Sequence, residues 1–202
     1  MRVAWSMSFL LVVGCSAVSV PQENYYRLAA VGLPVALAPT KDTLRVEGFE
    51  LASSLSRDQI LVADNSVQLR AYEFHRWISP LNRLIQDTVA TGLTRSKTFA
   101  QVKGPTDDPG ETLALSGRVL EFQQEGESGK WQARVTIELR LQSAPERRLL
   151  LQDEFTAEVP MTESDPAAAV VALSSGVGRV VSSFLERCRE AGLIAVAAGP
   201  SK

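Results

Sequence analysis

Apolar and polar side chains alternate most cleanly in the centre of the chain. Trp131, Ala133, Val135, Ile137, Leu139 and Leu141 are apolar, while Gln132, Arg134, Thr136, Glu138, Arg140 and Gln142 between them are polar. A period of two sustained over that length predicts a strand with one buried face. Leu149, Leu151, Phe155, Ala157 and Val159 repeat the pattern, with Asp153 the exception. Leu113 to Gln123 forms a third such segment, less regular in its alternation. Turns at Gly126–Lys130 and Ser143–Arg148 join the three into an antiparallel meander.

Shorter strands are expected before it. Tyr25–Leu28 is one, Leu44–Phe49 a second, and Phe99–Val102 a third. Ile60–Ala63 and Val67–Tyr72 flank Asp64-Asn65-Ser66 as a hairpin, because Asp and Asn tolerate left-handed turn geometry. Gly32 to Asp42, with Pro34 and Pro39, reads as a loop.

Two segments switch to the helical period. The first is expected to start at Ser79-Pro80, with Ser79 as the N-cap and Pro80 in the first turn. Its apolar face is Leu81, Leu84, Ile85, Thr88 and Val89, and the pattern fades near Ser96. The second starts at Asp165-Pro166 and carries the stripe Val170, Leu173, Val177, Val180, Val181, Phe184 and Cys188. Gly192 and Leu193 are placed to end it in a Schellman stop, which makes Cys188 a small core residue. The fold class is therefore α+β: a two-layer sandwich of a largely antiparallel sheet with two helices packed on one face.

The amino terminus does not belong to this pattern. Met1-Arg2 is followed by an apolar run to Val13, which suits the core of an export signal. The run is too short to span a bilayer comfortably, since a spanning helix needs roughly 20 apolar residues. Leu11-Val12-Val13-Gly14-Cys15 stands where an ordinary signal shows a small-x-small cleavage site. It resembles the lipobox of bacterial lipoproteins, in which the cysteine thiol takes a diacylglycerol, the signal is cut before it, and the new terminus is acylated. Residues 1–14 then form the signal peptide and 15–24 an acylated tether. Residues 25–192 make a single domain, and 193–202 a tail. Acyl chains contribute about 0.8 kcal/mol per buried methylene, enough in combination for stable anchoring without a spanning segment. Ser16 after the cysteine, in place of Asp, reads by analogy with lipoprotein sorting as release to the outer membrane, facing the periplasm.

Composition removes several classes of function. The net charge is −2, and −3 once Arg2 leaves with the signal, so nucleic acid is not an expected partner. One histidine and two cysteines, Cys15 and Cys188, are too few for a disulfide framework or a Cys/His metal site. No metal and no cofactor are expected. His75 stands in Tyr72-Glu73-Phe74-His75-Arg76-Trp77 without a Gly-x-Ser-x-Gly elbow or another local signature of nucleophilic chemistry. Gly176-Val177-Gly178 lacks the preceding strand of a dinucleotide site, and Asp107-Asp108 reads as a solvated turn. A non-catalytic protein is expected. His75, Arg76 and Trp77 carry two readings: Trp77 is a core residue beside the helix start, or the three form a partner surface, since Trp and Arg are favoured at hot spots.

Several residues together resemble a known family. Tyr25-Tyr26-Arg27-Leu28 follows a lipobox; then come Val46-x-x-Phe49-x-Leu51 and Leu55-x-Arg57-x-x-Ile60-Leu61. Arg76-Trp77-x-x-Pro80-Leu81 opens a helix of the form Leu81-x-x-Leu84-Ile85. This order is similar to the ABC-type transport auxiliary lipoprotein family, which includes the PqiC-type lipoproteins, over about Tyr25 to Glu190. Ser79 departs from the acidic residue usual before the proline. The resemblance implies an outer-membrane lipoprotein serving intermembrane lipid transport. Its implied partners are an Mce-type protein and ABC or permease components. The polar strand face with Arg134, Glu138 and Arg140 is either solvated or packed in a homo-oligomer. Two other roles remain open from the residues: a pilotin-like assembly factor, and a lipid carrier, which needs an apolar cavity of roughly 300–1,000 Å³.

Overall fold

A computed structural model describes residues 21–36, 38–65, 67–127 and 129–194. The signal segment, Cys15 and Ser16 lie outside them.

The meander forms as the alternation requires. β6 (Leu113–Glu127), β7 (Lys130–Ser143) and β8 (Leu149–Met161) pair antiparallel in sequence order. Ala133, Val135, Ile137, Leu139 and Leu141 of β7 are all buried. The irregular alternation of β6 has a physical cause. A bulge between Val119 and Glu121 shifts the register, so the buried positions change from Leu113, Leu115 and Val119 to Phe122 and Gln124. Asp153, the exception in β8, stands opposite Leu139 on the helix side of the sheet, where Arg187 reaches its carboxylate at 3.5 Å.

The earlier strands add to the same sheet. β1 (Asn24–Tyr26) runs parallel to β4 (Leu69–Trp77), and β4 pairs antiparallel with β3 (Gln59–Ala63). The predicted hairpin therefore forms, with Ala63 opposite Leu69, but its second strand begins two residues later and reaches Trp77. β2 (Thr43–Leu51) and β3 share one edge of β6, both parallel to it. Between them Ala52 N–H donates to Val119 O, and a 3-10 turn at Ser53–Leu55 tucks Leu55 into the core. β5 (Gln101–Lys103) closes the order beside β2, two residues later than the sequence pattern suggested. The result is one eight-stranded sheet in which the long β6–β7 and β7–β8 ladders make most of the pairing antiparallel, while the shorter β1–β4, β2–β5, β2–β6 and β3–β6 ladders are parallel.

Both helices cover one face of it. α2 (Pro166–Glu190) lies across β6–β8 and α1 (Leu81–Ser96) against β2 and β5, and the two touch. A Cβ on Gly176 would stand 2.6 Å from the Val135 side chain, so the absent side chain is what lets α2 approach the sheet. The predicted stripe of α2 is buried along its whole length. Asp165 Oδ2 accepts the Ala168 N–H at 2.8 Å, and Pro166 opens the helix. At the other end Leu193 N–H donates to Cys188 O and Gly192 N–H to Arg189 O, with Gly192 at φ +68. These are the two bonds of a Schellman stop.

Two expectations need correction. Ser79 does not cap α1. The boundary residue is Pro80, extended at ψ 130, and its carbonyl accepts the N–H groups of Arg83 and Leu84 with no side-chain cap. The reason lies upstream: Trp77 N–H is held by Asp58 O and Ile78 N–H by Tyr26 O, so strand geometry persists to the edge of the helix. Thr136, placed by the alternation on the polar face of β7 and away from the buried one, is 3% exposed. Its hydroxyl donates to Glu121 at 2.6 Å and lies 3.0 Å from that of Thr156, and this cross-strand contact shields it.

Candidate functional site

The β1–β4 register sets Asn24 beside His75 and Tyr25 beside Arg76, and this corner gathers polar groups from four parts of the chain. The Tyr26 hydroxyl and His75 Nδ1 share a hydrogen bond of 2.9 Å, with the rings stacked at 5.7 Å. Tyr72 meets the same imidazole edge-on. The Tyr72 hydroxyl donates to Gln124 Oε1 at 3.0 Å, and Gln124 Nε2 donates to Ser164 Oγ at 2.8 Å. Gln124 is fully buried, so these bonds satisfy an amide that would otherwise cost about 1–3 kcal/mol. The chain joins β1, β4, β6 and the β8–α2 connection into one lock. Burial, followed by the charge of Asp165, raises the Tyr26 phenol. Ser164 bonds Tyr72 and Gln124, not His75, so the corner is not assembled as a base–nucleophile pair.

Of the three residues singled out in sequence, Trp77 is 4% exposed and packs edge-on against Phe122 at 5.8 Å. It belongs to the core. Arg76 reaches the surface, where its Nε meets Glu23 Oε1 at 2.8 Å and its Nη1 meets Asp58 Oδ1 at 2.9 Å. These bonds fasten the entering chain to the segment before β3. The hydrogen bond from Tyr25, and then that from Arg76, hold the Glu23 carboxyl below the usual carboxylate range.

The outer face of the meander is a cross-strand polar mesh. Arg134 Nε binds Glu125 Oε1 at 2.7 Å and its Nη2 binds Glu158 Oε1 at 2.8 Å, so one guanidinium spans three strands. Burial lifts the Glu125 carboxyl, but hydrogen bonds from Arg134, Gln132 and Gln123 outweigh it and leave the group lowered. A cleft of about 450 Å³ opens here beside Asn65, Lys130, Trp131 and Arg134. A second, of about 150 Å³, lies towards Glu50, Arg118, Glu138 and Arg140. On the helix side a shallow cleft of about 730 Å³ borders residues 29–32, Thr156–Glu158 of β8 and the serines of α2.

Arg45 escaped the sequence reading, because it sits at a polar position of an alternating strand. It is 8% exposed. Its guanidinium donates to the carbonyls of Gly104, Asp107 and Asp108 and to Glu111 Oε2 at 2.8 Å. The Asp107-Asp108 loop is thus clamped through its backbone. The Arg45 hydrogen bond, helped by local backbone donors, holds the Glu111 carboxyl at about 2. Cys188 is buried, and desolvation pushes its thiol up to about 12, which removes thiolate chemistry near neutral pH. Among the described residues no cluster of three His, Cys, Asp or Glu side chains is arranged to hold a metal.

Comparison with known proteins then places the chain. The family model described as "ABC-type transport auxiliary lipoprotein component" matches residues 26–183. No curated protein matches. A crystal structure of a protein from Xanthomonas campestris shares the fold at TM-score 0.73 and 20% identity, covering 84% of this chain and 96% of its own. The crystal structure of an uncharacterized protein follows at TM-score 0.66 and 17% identity, covering 83% of this chain and 98% of its own.

Proposed function

We infer the role of this protein from one premise: the chain belongs to the family of ABC-type transport auxiliary lipoprotein components. The finer reading is ours. The protein is exported, acylated at Cys15 after removal of residues 1–14, and held at the periplasmic face of the outer membrane by a tether of residues 15–24. There the domain of residues 25–192 serves an intermembrane lipid-transport system as a docking component without catalytic chemistry. Its partners are an Mce-type protein and the ABC or permease components behind it.

The observation that carries this reading is the lipobox cysteine ahead of a domain that matches the family over residues 26–183. The structure adds support of a different kind. Phe122, Phe184, Ile137 and Leu173 fill the space between sheet and helices, and the clefts are open ones of mixed lining, with serines, carboxylates and arginines interspersed among Ala29, Val31, Val171 and Trp131. Such clefts suit protein contact better than an acyl chain, which favours docking over a carrier role. Anchoring also confines partners to a thin layer, so individual contacts can be weak.

A deletion strain is expected to become sensitive to detergent, and the wild-type gene to restore it. Cys15→Ala at equal abundance restores it poorly, and pull-down of the wild-type protein recovers an Mce-type partner. Full rescue by Cys15→Ala with no such partner recovered would falsify the docking role.

A further inference from the structure

We propose that the end of the sheet formed by the β3–β4 loop and the β6–β7 turn rests on the lipid bilayer, with Val67 at its tip. This rests on the reading that Cys15 is acylated, and adds an orientation to it.

Val67 is 91% exposed and Leu69 39%. Val67 precedes β4, Leu69 opens it, and contacts on either side of Val67 hold it outward. Asn65 Oδ1 accepts the N–H groups of Val67 at 3.0 Å and Gln68 at 2.9 Å, Asp64 N–H donates to Gln68 O, and Arg70 pairs with Asp64. Lys130 and Trp131 stand at the same end, since Ala63 pairs with both Leu69 and Glu125 and Gly126 pairs with Trp131. Indole and ammonium groups beside exposed aliphatic side chains are the composition favoured at a membrane–water boundary. Two of the neighbouring carboxylates are paired locally, Asp64 with Arg70 and Glu125 with Arg134. The contact is apolar and interfacial, made by Val67 and Leu69 with the Trp131 indole beside them.

The entering chain selects this end over the other. β1 is parallel to β4 with Asn24 beside His75, so the chain before Asn24 arrives from the direction of Leu69. From His75 back to Leu69 is about 20 Å of strand. From Cys15 to Asn24 the backbone spans at most about 30 Å. An anchor at Cys15 thus reaches just past the Val67 tip. The opposite end, with Arg147 in the β7–β8 turn, lies a further length of β7 away.

The test uses the full chain, acylated in a bacterial host and reconstituted in phosphatidylethanolamine–phosphatidylglycerol vesicles. With Cys15 acylated and Cys188 buried, an introduced cysteine is the reactive thiol. Val67→Cys and Arg147→Cys each receive an environment-sensitive fluorophore. Brominated acyl chains are expected to quench the label at 67 about threefold more than that at 147. Adding Val67→Asp to a labelled Lys130→Cys protein is expected to bring its quenching down to the level seen at 147. Equal weak quenching at 67 and 147, in protein that floats with vesicles and carries lipid by mass, overturns the orientation and leaves the anchor standing. A mass spectrum without lipid on Cys15 overturns the anchor, and the orientation with it. Protection at 67 in native envelopes but not in lipid alone assigns the tip to a protein partner and overturns the bilayer contact.

Discussion

α1 and α2 both begin where a polar residue precedes a proline, and the protein treats the two starts differently. At α2 the strand ladder stops at Met161, four residues before the cap, and the Asp165 carboxylate folds back onto the Ala168 N–H. At α1 the backbone is still bonded as strand at Trp77 and Ile78, so Ser79 stays outside the helix and Pro80 supplies only a carbonyl. A capping sequence acts when the preceding residues are free to adopt the cap geometry. Here the buried Trp77 decides that they are not. The same contrast runs through packing. α2 is 25 residues long, presses on β7 through Gly176 and ends in two stop bonds. α1 is 16 residues long, meets a loop through Gly92, and ends at Lys97 in the left-handed region.

The contrast can be attacked first beneath α2. Ile137→Asp places a carboxylate in the floor on which α2 rests and should cost about 4 kcal/mol or more, read as loss of the cooperative urea transition. Thr136→Asp, on the other side of the same strand, sets a second carboxylate against Glu121 and should cost about 2 kcal/mol. A negligible cost at Thr136 would show that its contact with Glu121 is idle.

The glycines sharpen the comparison at smaller scale. A Cβ at Gly176 meets Val135 on a strand paired along both edges, whereas one at Gly92 meets Val31 on a loop, each at 2.6 Å. Gly176→Val should cost about 3 kcal/mol and Gly92→Val about 1 kcal/mol, because the loop can shift and β7 cannot. Equal thermal midpoints for the two variants would remove the distinction. The helix starts give the smallest difference. Asp165→Ala should cost about 1 kcal/mol and Ser79→Ala only a few tenths, measured as the shift in denaturant midpoint at constant slope. A comparable loss at Ser79 would restore it as a cap in solution.

What the sequence makes legible here is what depends on local period. β7 and α2 bury the side chains that their repeats select, and the Gly192 stop follows from three residues. Where one element answers to another, the pattern loses its meaning. The bulge at Leu120 falls where the other edge of β6 passes from β2 to β3, and no window along β6 contains that information. Parallel pairing of β2 and β3 with β6 brings together residues about 60 to 70 positions apart. Arg45 looks like an ordinary solvent-facing strand residue until the loop ending at Glu111 closes over it. Of the candidate site, the bonding of His75 and Arg76 at the chain entry emerges only from the β1–β4 register, and Trp77 is buried by a partner 45 residues away.

The direction of β1 also decides how the domain would bear a mechanical load. A pull on the chain before Pro21, directed along β1 away from Tyr26, strains the β1–β4 hydrogen bonds all at once instead of peeling them in turn. The Arg76–Glu23 pair and the Tyr26–His75 bond lie along the same line and share the strain. Tension entering at the tether is therefore spread across a short bonded patch and passed through β4 into the rest of the sheet.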